Sequence, residues 1–225
     1  MYTLGRTLVL VLIGISQAIA MDPFEPQMTL PQITFPANKT CGEVNVFYTG
    51  LTAYHPLVIS RGFDPVQTDI ALRNDTANLV KAGFNVYVLF QGPDQPVSNL
   101  GDRMKGRVWD VTGVGWGIRN STMLELVDRF EGMNDLTIEN FGQHVNRESA
   151  NLIEFREEAP LTPTVFNWSP TSLAQSVVRH VPLIEDCTDK PGTLYAYEEN
   201  CPPELCEKVT VVTSGSLEEL LEGIQ

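Results

Sequence analysis

Residues 109–127, WDVTGVGWGIRNSTMLELV, contain an apolar segment, three glycines at every second position, an arginine and the start of a helical pattern. This succession is typical of a buried strand that turns sharply into a helix. Gly113, Gly115 and Gly117 allow a tight turn and a close approach to a neighbouring group, because glycine has no Cβ. The stretch therefore predicts a strand–turn–helix unit, and it raises the question of whether the turn binds a ligand.

The same alternation of strand and helix patterns recurs through residues 43–182. Apolar segments rich in β-branched and aromatic residues predict four strands, at 44–49, 85–90, 107–112 and 163–168. The clearest helical pattern begins with Asp64 and Pro65 and ends at Gly83. Alternating strands and helices form parallel sheets covered by helices on both faces. We therefore predict an α/β domain with a doubly wound, flavodoxin-like parallel sheet of four or five strands.

Composition and charge limit the classes of partner. The chain has 225 residues, of which 43% are hydrophobic, which suits one domain of ordinary size with additional segments. Its 15 lysines and arginines stand against 28 acidic residues, a net charge of -13. Because such an acidic surface repels phosphate backbones, we expect no nucleic-acid partner.

The first twenty residues, MYTLGRTLVLVLIGISQAIA, have the layout of a secretory signal peptide. A positive charge at Arg6 precedes a short apolar run, and the segment ends in Ala18-Ile19-Ala20. We predict cleavage near Ala20, a secreted protein, and no membrane association after cleavage. The alternative is an uncleaved membrane anchor, although the run is shorter than the roughly 20 apolar residues of a spanning helix.

Two segments flank the predicted domain. Residues 21–42 are rich in proline and lack periodicity, which predicts an extended leader. Residues 183–225 contain ten acids and two lysines, which indicates an acidic C-terminal extension. Within that extension, KVTVVT at 208–213 is a candidate edge strand.

Four cysteines lie outside the signal peptide, at Cys41, Cys187, Cys201 and Cys206. An even number in a secreted chain predicts two disulfides, with three possible connectivities. One attractive arrangement joins Cys41 to the C-terminal extension, which would hold that extension against the domain. A zinc site is the alternative, but there is no Cys-x-x-Cys pair and no histidine in the extension, so we expect no metal.

Asn-x-Ser/Thr sequons fit the same compartment and predict a glycoprotein. They lie at Asn38, Asn74, Asn120 and Asn167, and each accepts a glycan only if it is exposed. Asn120 and Asn167 lie at the edge of the sheet where a ligand is expected, and a glycan on either would crowd that site.

Ligands of open parallel sheets bind beyond the carboxyl ends of the strands, where the turns after the four predicted strands converge. A helix N-terminus after the glycines suits an anion, and an arginine adds a fork-shaped donor. We predict a site for a small anionic or polar ligand at Gly113, Gly115, Gly117, Arg119, Asn167 and Ser169. The alternative is a purely structural turn with Trp116 packed over it. The spacing matches neither the dinucleotide nor the P-loop motif, so no cofactor is expected.

No arrangement of nucleophile, base and acid is evident, so the sequence leaves open whether the protein is an enzyme. There is no Gly-x-Ser-x-Gly elbow, and the histidines are scattered at His55, His144 and His180. Only His55 follows a predicted strand closely, and Asp94 or Asp64 could orient it.

The segments GVGWGIRN (113–120) and FNWSP (166–170) resemble a group of small uncharacterised α/β proteins of fungi and bacteria. LVKAGFNVYVLFQGPDQPVSNLGDRM (79–104) is similar to their second strand and its flanks, so the resemblance spans roughly residues 44–182. It implies that the matching positions are Gly113, Gly115, Gly117, Arg119, Asn167, Ser169 and Pro170. Those proteins lack a signal peptide, four cysteines and an acidic extension, and they have no established activity. The resemblance therefore implies the fold and not a reaction.

Taken together, these features favour a secreted, fungal-like interaction or effector-like factor built on an α/β domain. The alternative is a protein that binds a small anionic or polar ligand, or a weak hydrolase or transferase, with its site at the carboxyl edge of the strands. The expected partner is accordingly an unknown protein or a small polar ligand.

Overall fold

The computed structural model describes residues 32–131, 151–208 and 212–222. Five strands of these residues form one all-parallel sheet, in the order β4-β3-β1-β2-β5. The strands are β1 (Asn45–Gly50), β2 (Asn85–Gln91), β3 (Val111–Val114), β4 (Thr164–Phe166) and β5 (Leu194–Asn200). The helices are α1 (Pro56–Ser60), α2 (Pro65–Lys81), α3 (Ser98–Met104), α4 (Trp116–Arg119), α5 (Leu124–Glu131), α6 (Asn151–Glu158), α7 (Leu173–His180) and α8 (Leu217–Glu222). The predicted α/β fold is confirmed.

The two faces of the sheet carry separate apolar cores. Residues of β1 alternate between them, since Val46 and Tyr48 belong to one cluster and Phe47 to the other. Leu79 of α2 and Val177 of α7 complete the first cluster. The second cluster includes buried side chains of helices α3 to α6, which are Leu100, Met104, Ile118, Leu126 and Phe155. Helices thus cover both faces, as a parallel sheet requires.

The strand order creates a topological switch point between β1 and β3. From β1 the chain proceeds to β2 on one side, and then returns to place β3 and β4 on the other side. Connections leave the two central strands in opposite directions, so a crevice opens beyond their carboxyl ends. Tyr48 of β1 lies beside Gly113 of β3, and Thr49 lies beside Val114.

Helix α2 begins as its sequence predicts. The Asp64 carboxylate accepts a hydrogen bond of 2.9 Å from the Gln67 N–H, and Pro65 occupies the first turn. Gly83 follows the helix with a φ of 95°, a left-handed conformation that favours glycine. A Cβ at Gly83 would also lie 2.5 Å from the Cys187 sulfur, so the C-terminal extension packs against this turn.

The third strand differs from its predicted bounds of 107–112. It spans Val111–Val114, and Val108 is 79% exposed before it begins. Gly113, which the pattern assigned to a turn, is therefore a strand residue. The physical reason is a close packing contact, because a Cβ at Gly113 would lie 2.6 Å from the Tyr48 ring.

The fifth strand comes from an acidic stretch whose pattern did not predict it. β5 pairs in parallel with β2, whereas a flavodoxin order places the fifth strand beside β4. Glu198 of β5 is buried and accepts from the Tyr87 hydroxyl and, at 3.1 Å, from Arg103. Glu199 is buried and accepts from the Ala53 N–H at 2.7 Å. The two acids thus have specific partners inside the fold.

The predicted edge strand at 208–213 is only partly within the described residues. Thr213 forms an antiparallel bridge with Tyr197 of β5, and residues 209–211 lie outside the described ranges. The predicted signal peptide at 1–20, most of the leader and His144 also lie outside them. Among the residues that the structure does describe, no helix combines the length and apolarity needed to cross a membrane.

Two disulfides are present, as the cysteine count predicted, and they select one of the three connectivities that the sequence left open. Cys41 bonds to Cys187, which links the segment before β1 to the segment before β5. Cys201 bonds to Cys206 in the loop after β5. The first bond joins the extension to the domain, and backbone hydrogen bonds such as that from the Gly192 N–H to the Val80 carbonyl oxygen, 2.8 Å, reinforce the contact.

Removing the two disulfides should have unequal effects on stability. The bond between Cys41 and Cys187 spans 146 residues, and that between Cys201 and Cys206 spans 5. Because a longer loop restricts the unfolded chain more, we expect the Cys41→Ser/Cys187→Ser variant to lose about 5 kcal/mol of unfolding free energy, and the Cys201→Ser/Cys206→Ser variant about 2 kcal/mol. Urea denaturation measures both values. Equal losses would contradict the loop-length account.

Candidate functional site

A cleft opens at the switch point between β1 and β3. Its walls are mostly apolar or aromatic, and a few polar side chains reach it. The lining residues are Tyr48, Gly50, Leu51, Val58, Arg61, Phe63, Thr68, Leu72, Phe90, Gly115, Trp116, Gly117, Asn167 and Pro170. Its free volume is about 40 Å³, which is room for roughly three water molecules. The predicted convergence of the strand-end turns therefore produces a small, partly apolar cavity.

Two glycines form the floor of the cleft. Gly50 follows Thr49 in β1, and the Gly115 N–H donates to the Thr49 carbonyl oxygen at 2.8 Å. A Cβ at Gly115 would lie 3.1 Å from the Gly50 Cα and 3.0 Å from the Tyr48 hydroxyl. The absence of both side chains lets the strand ends approach closely beneath the cleft.

Asn167 fixes the start of α4. Its Oδ1 accepts from the Trp116 N–H, and its Nδ2 donates to the Ser169 carbonyl oxygen at 2.7 Å. The Asn167 carbonyl oxygen in turn accepts from the Arg119 guanidinium at 3.1 Å. Arg119 and Asn167 therefore meet at one end of the sheet, as the sequence predicted. The Asn167 side chain thus accepts the hydrogen bond of the first N–H of α4, the position at which the sequence predicted an anion.

The six predicted ligand-binding residues gather at this edge, in two groups. Gly115, Gly117 and Asn167 line the cleft. The other three lie beside it: Gly113 is within β3, exposed Arg119 extends over the Phe166 ring at 5.8 Å, and the Ser169 N–H donates to the Ser172 hydroxyl at 2.9 Å. A role in ligand binding stays a prediction for all six.

Arg61 is the residue of the cleft that sequence reasoning missed. Its guanidinium lies 4.9 Å from the centre of the Trp116 ring. It donates to the Gly117 carbonyl oxygen at 2.7 Å and to that of Asn120 at 3.2 Å. Burial lowers the pKa of Arg61, and among the described residues no carboxylate forms an ion pair with it. Within the part of the chain that the structure describes, the cleft therefore contains a positive charge that no carboxylate contacts directly.

Aromatic rings form the wall on which Arg61 lies. The Phe63 and Trp116 rings pack edge to face with their centres 5.6 Å apart. The guanidinium contacts both rings, at 4.9 Å from Trp116 and 5.8 Å from Phe63. Such cation–π contacts orient an arginine without cancelling its charge. The wall thus presents an apolar surface beside a fixed cation.

Tyr48 contributes a polar atom at the floor of the cleft. Its side chain is 1% exposed, and its hydroxyl has no hydrogen-bond partner among the described residues. Burial, together with the nearby Asp75 carboxylate, raises the pKa of Tyr48 well above its usual value. The hydroxyl therefore keeps its proton at any physiological pH and remains a potential donor.

The histidines have structural contacts. His55 Nε2 lies 2.9 Å from the Asp94 carboxylate, the partner that the sequence suggested, and His55 Nδ1 accepts from the Leu57 N–H at 3.2 Å. Burial raises the pKa of Asp94, but hydrogen bonds from Gln95 and His55 outweigh it and leave that pKa lowered. His180 stacks on Phe35, with ring centres 4.5 Å apart. Because both ring nitrogens of His55 are engaged, this histidine acts here as the cap of α1.

The four sequons differ in accessibility. Asn38, Asn74 and Asn120 are exposed, and Asn120 lies next to the cleft because its carbonyl oxygen binds Arg61. Asn167 is only 2% exposed, and both ends of its amide are hydrogen-bonded. In the folded chain the asparagines of three sequons are therefore exposed to solvent, and that of the fourth sequon, Asn167, is buried.

Comparison with protein-family models, with curated proteins and with solved structures gave no match to this chain.

Replacing Asn167 should destabilise the fold at the cleft. Asn167→Ala removes the acceptor of the Trp116 N–H and the donor to the Ser169 carbonyl oxygen, so we expect a loss of about 2 kcal/mol of unfolding free energy. Asn120→Ala is the matched control, because the Asn120 side chain is exposed and should cost less than about 0.5 kcal/mol. Chemical denaturation measures both. An Asn167→Ala variant as stable as the control would show that the amide does not hold α4.

Proposed function

We propose that this protein is a secreted binding protein whose switch-point cleft takes a small anionic ligand with an apolar body. The anionic group pairs with Arg61, and the apolar body packs against Trp116 and Phe63. Secretion is part of the proposal and rests on the signal-peptide pattern at 1–20, with the two disulfides and the sequons in agreement.

One observation carries the proposal, namely the uncompensated charge of Arg61. The chain has 28 acidic and 15 basic residues, but among the described arginines only a minority form ion pairs with carboxylates. Arg73 and Arg103 each do, with ion pairs of 2.7 Å and 3.1 Å. Arg61 instead binds two neutral carbonyl oxygens, at the mouth of a cavity. A half-buried guanidinium without a counter-ion favours an incoming carboxylate or phosphate.

The dimensions of the cleft define the ligand. A free volume of about 40 Å³ suits one small group of a ligand, so the rest of the ligand would lie against the aromatic wall, and a ligand of one ring fits this arrangement better than a dinucleotide. The flat face of Trp116 and the aliphatic side chains of Leu51 and Leu72 favour an apolar body over a sugar. A small aromatic or branched carboxylate meets both conditions.

These features favour the ligand-binding alternative over the interaction or effector-like factor that the sequence also predicted. The cleft contains no nucleophile paired with a base, so a hydrolase or transferase activity is not part of the proposal. The resemblance to uncharacterised fungal and bacterial α/β proteins agrees with a site at GVGWGIRN and FNWSP, and it remains a prediction.

Benzoate is the probe for this proposal, with neutral benzamide as its matched ligand. We expect benzoate to bind the unmodified protein, and we expect Arg61→Gln to weaken that binding at least about tenfold, because a charge-assisted hydrogen bond is lost. Benzamide should bind both proteins equally. Isothermal titration at low salt measures the dissociation constants, since salt screens a charge pair at the mouth of a cleft.

Arg107→Gln is the control variant. The Arg107 guanidinium also lies over an aromatic ring, 3.4 Å from the centre of Tyr195, and this arginine is exposed away from the cleft. Its replacement should leave benzoate binding unchanged. Equal losses in the two variants would indicate a general charge effect, and no benzoate binding by the unmodified protein would reject the proposed function.

Secretion and glycosylation can be tested on protein expressed in a eukaryotic secreting host. We expect an amino terminus at Met21 and glycans on Asn38, Asn74 and Asn120, with none on Asn167. An N-linked glycan leaves from the amide nitrogen, and in Asn167 that atom is buried and donates to Ser169. Peptide mass spectrometry measures occupancy. A glycan on Asn167 in correctly folded protein would contradict the buried position of this side chain.

A further inference from the structure

We infer that His55 is a positioning residue of the cleft, which acts through helix α1 on Arg61 and Phe63, and that protonation of its ring weakens ligand binding. This inference rests on the proposed function and adds a pH dependence to that site. Three features of the described residues carry it, namely the hydrogen bonds of the two ring nitrogens, those that continue along α1, and the charges around the ring.

The hydrogen bonds of the His55 ring define its protonation state in the folded chain. The Leu57 N–H can only donate, so Nδ1, 3.2 Å away, accepts with its lone pair. The single proton of the neutral ring is then on Nε2, which donates to the Asp94 carboxylate at 2.9 Å. A protonated ring carries a proton on both nitrogens, so its Nδ1 would meet the Leu57 N–H as a second donor. Protonation of His55 therefore breaks the cap of α1.

Helix α1 connects this cap to the residues that are proposed to bind the ligand. The His55 carbonyl oxygen accepts from the Val58 N–H at 2.8 Å. The Val58 carbonyl oxygen accepts from the Arg61 N–H at 3.2 Å and from the Phe63 N–H at 3.3 Å, and Val58 itself lines the cleft. Because α1 has only five residues, its first turn depends on the cap. Loss of the cap therefore disturbs the position of the guanidinium and of the aromatic wall.

Charged groups of the neighbouring segments face the His55 ring. Asp94, in the loop after β2, is its direct partner and favours the protonated ring. Burial raises the pKa of Asp94, but hydrogen bonds outweigh burial and leave that pKa lowered, so the carboxylate is charged near neutral pH. Arg129 of α5 interacts electrostatically with Asp94 and opposes its effect, and Glu199 of β5 accepts from the Ala53 N–H in the same loop as His55. The ring thus lies between a carboxylate that favours its charge and a cap that requires its neutral form.

The charges of the proposed ligand contact are constant in the pH range in which a histidine titrates. Histidine ordinarily changes charge between about pH 5 and about pH 8. Arginine keeps its proton throughout this range, and a carboxylate ligand stays ionised above about pH 5.5. Since the neutral ring is the form that caps α1, binding should be strongest above the titration of His55 and should weaken as the pH falls through it.

The experiment measures benzoate binding by isothermal titration at about pH 7.5 and about pH 5.5, at constant ionic strength. We expect the dissociation constant of the unmodified protein to rise at least about fivefold at the lower pH. His55→Asn should bind benzoate normally at neutral pH and lose the pH dependence, because asparagine is a good N-cap whose oxygen accepts from the Leu57 N–H at either pH. His144→Asn and His180→Asn replace the other two histidines of the chain, and both should retain the dependence.

Asp94→Asn tests the same coupling without altering the histidine, and it does so even where His55→Asn fails to fold. It keeps an acceptor for Nε2 and removes the charge that favours the protonated ring, so the midpoint of the pH dependence should move down by about one pH unit. A residue that only holds the loop in place would change the affinity and leave the midpoint unmoved. Nuclear magnetic resonance of the ligand-free protein gives a second readout, since the Leu57 amide signal should shift with the same midpoint as binding.

Benzoate binding that is equally strong at both pH values would overturn the inference and leave the proposed function standing. Stronger binding at the lower pH would do the same, because the protonated ring would then act by attracting the anion. A pH dependence that survives His55→Asn, or an unmoved midpoint in Asp94→Asn, would also contradict the role of His55. If benzoate does not bind at neutral pH, the proposed function fails, and the role of His55 fails with it.

Discussion

The close approach of β1 and β3 at their carboxyl ends is the constraint on which the rest of this structure depends. Tyr48 extends its ring across the neighbouring strand, and only a glycine at position 113 leaves room for it, since a Cβ there would lie 2.6 Å from the ring. One step further, Gly50 and Gly115 meet without side chains, and the Gly115 N–H reaches the Thr49 carbonyl oxygen. The glycines are thus required first of all for the close packing of β1 and β3. The cleft is the space that remains above these strands.

Much of this arrangement could be predicted from the sequence. Strand and helix patterns predicted the parallel sheet, and the rule that strand-end turns converge predicted that Arg119 and Asn167 would meet. Local sequence patterns failed to predict features that depend on contacts between distant segments. The glycines were predicted to form a turn. The place of Gly113 in β3 depends on its packing against the Tyr48 ring, which belongs to another segment. No sequence pattern indicated that Arg61 belongs to the site. It follows the five-residue helix α1, and its contact with the Trp116 ring forms only in the folded chain.

Sequence patterns also failed to predict β5, because they indicated an exposed acidic segment where the fold contains a buried strand. Glu198 and Glu199 made the stretch from Leu194 to Asn200 look like a solvated acidic tail. In the fold, Tyr87, Arg103 and the Ala53 N–H satisfy these two carboxylates, so the strand can be buried. Burial of a charge is tolerated only with such partners. No pattern of periodicity reports them, since they come from three other segments.

The partners of the buried charges differ from one part of the fold to another. Among the described residues, Asp69, Arg73 and Glu198 are buried charges with ion-pair partners, whereas buried Arg129 binds the neutral oxygens of Asn151 and Gln95. At the switch point the Arg61 guanidinium likewise binds neutral oxygens, the carbonyls of Gly117 and Asn120. Unlike Arg129, Arg61 lines a cavity, and that cavity lies in the place where open parallel sheets bind ligands. The position of Arg61 on this cavity, beside the Trp116 and Phe63 rings, is therefore the feature that favours an anionic ligand with an apolar body.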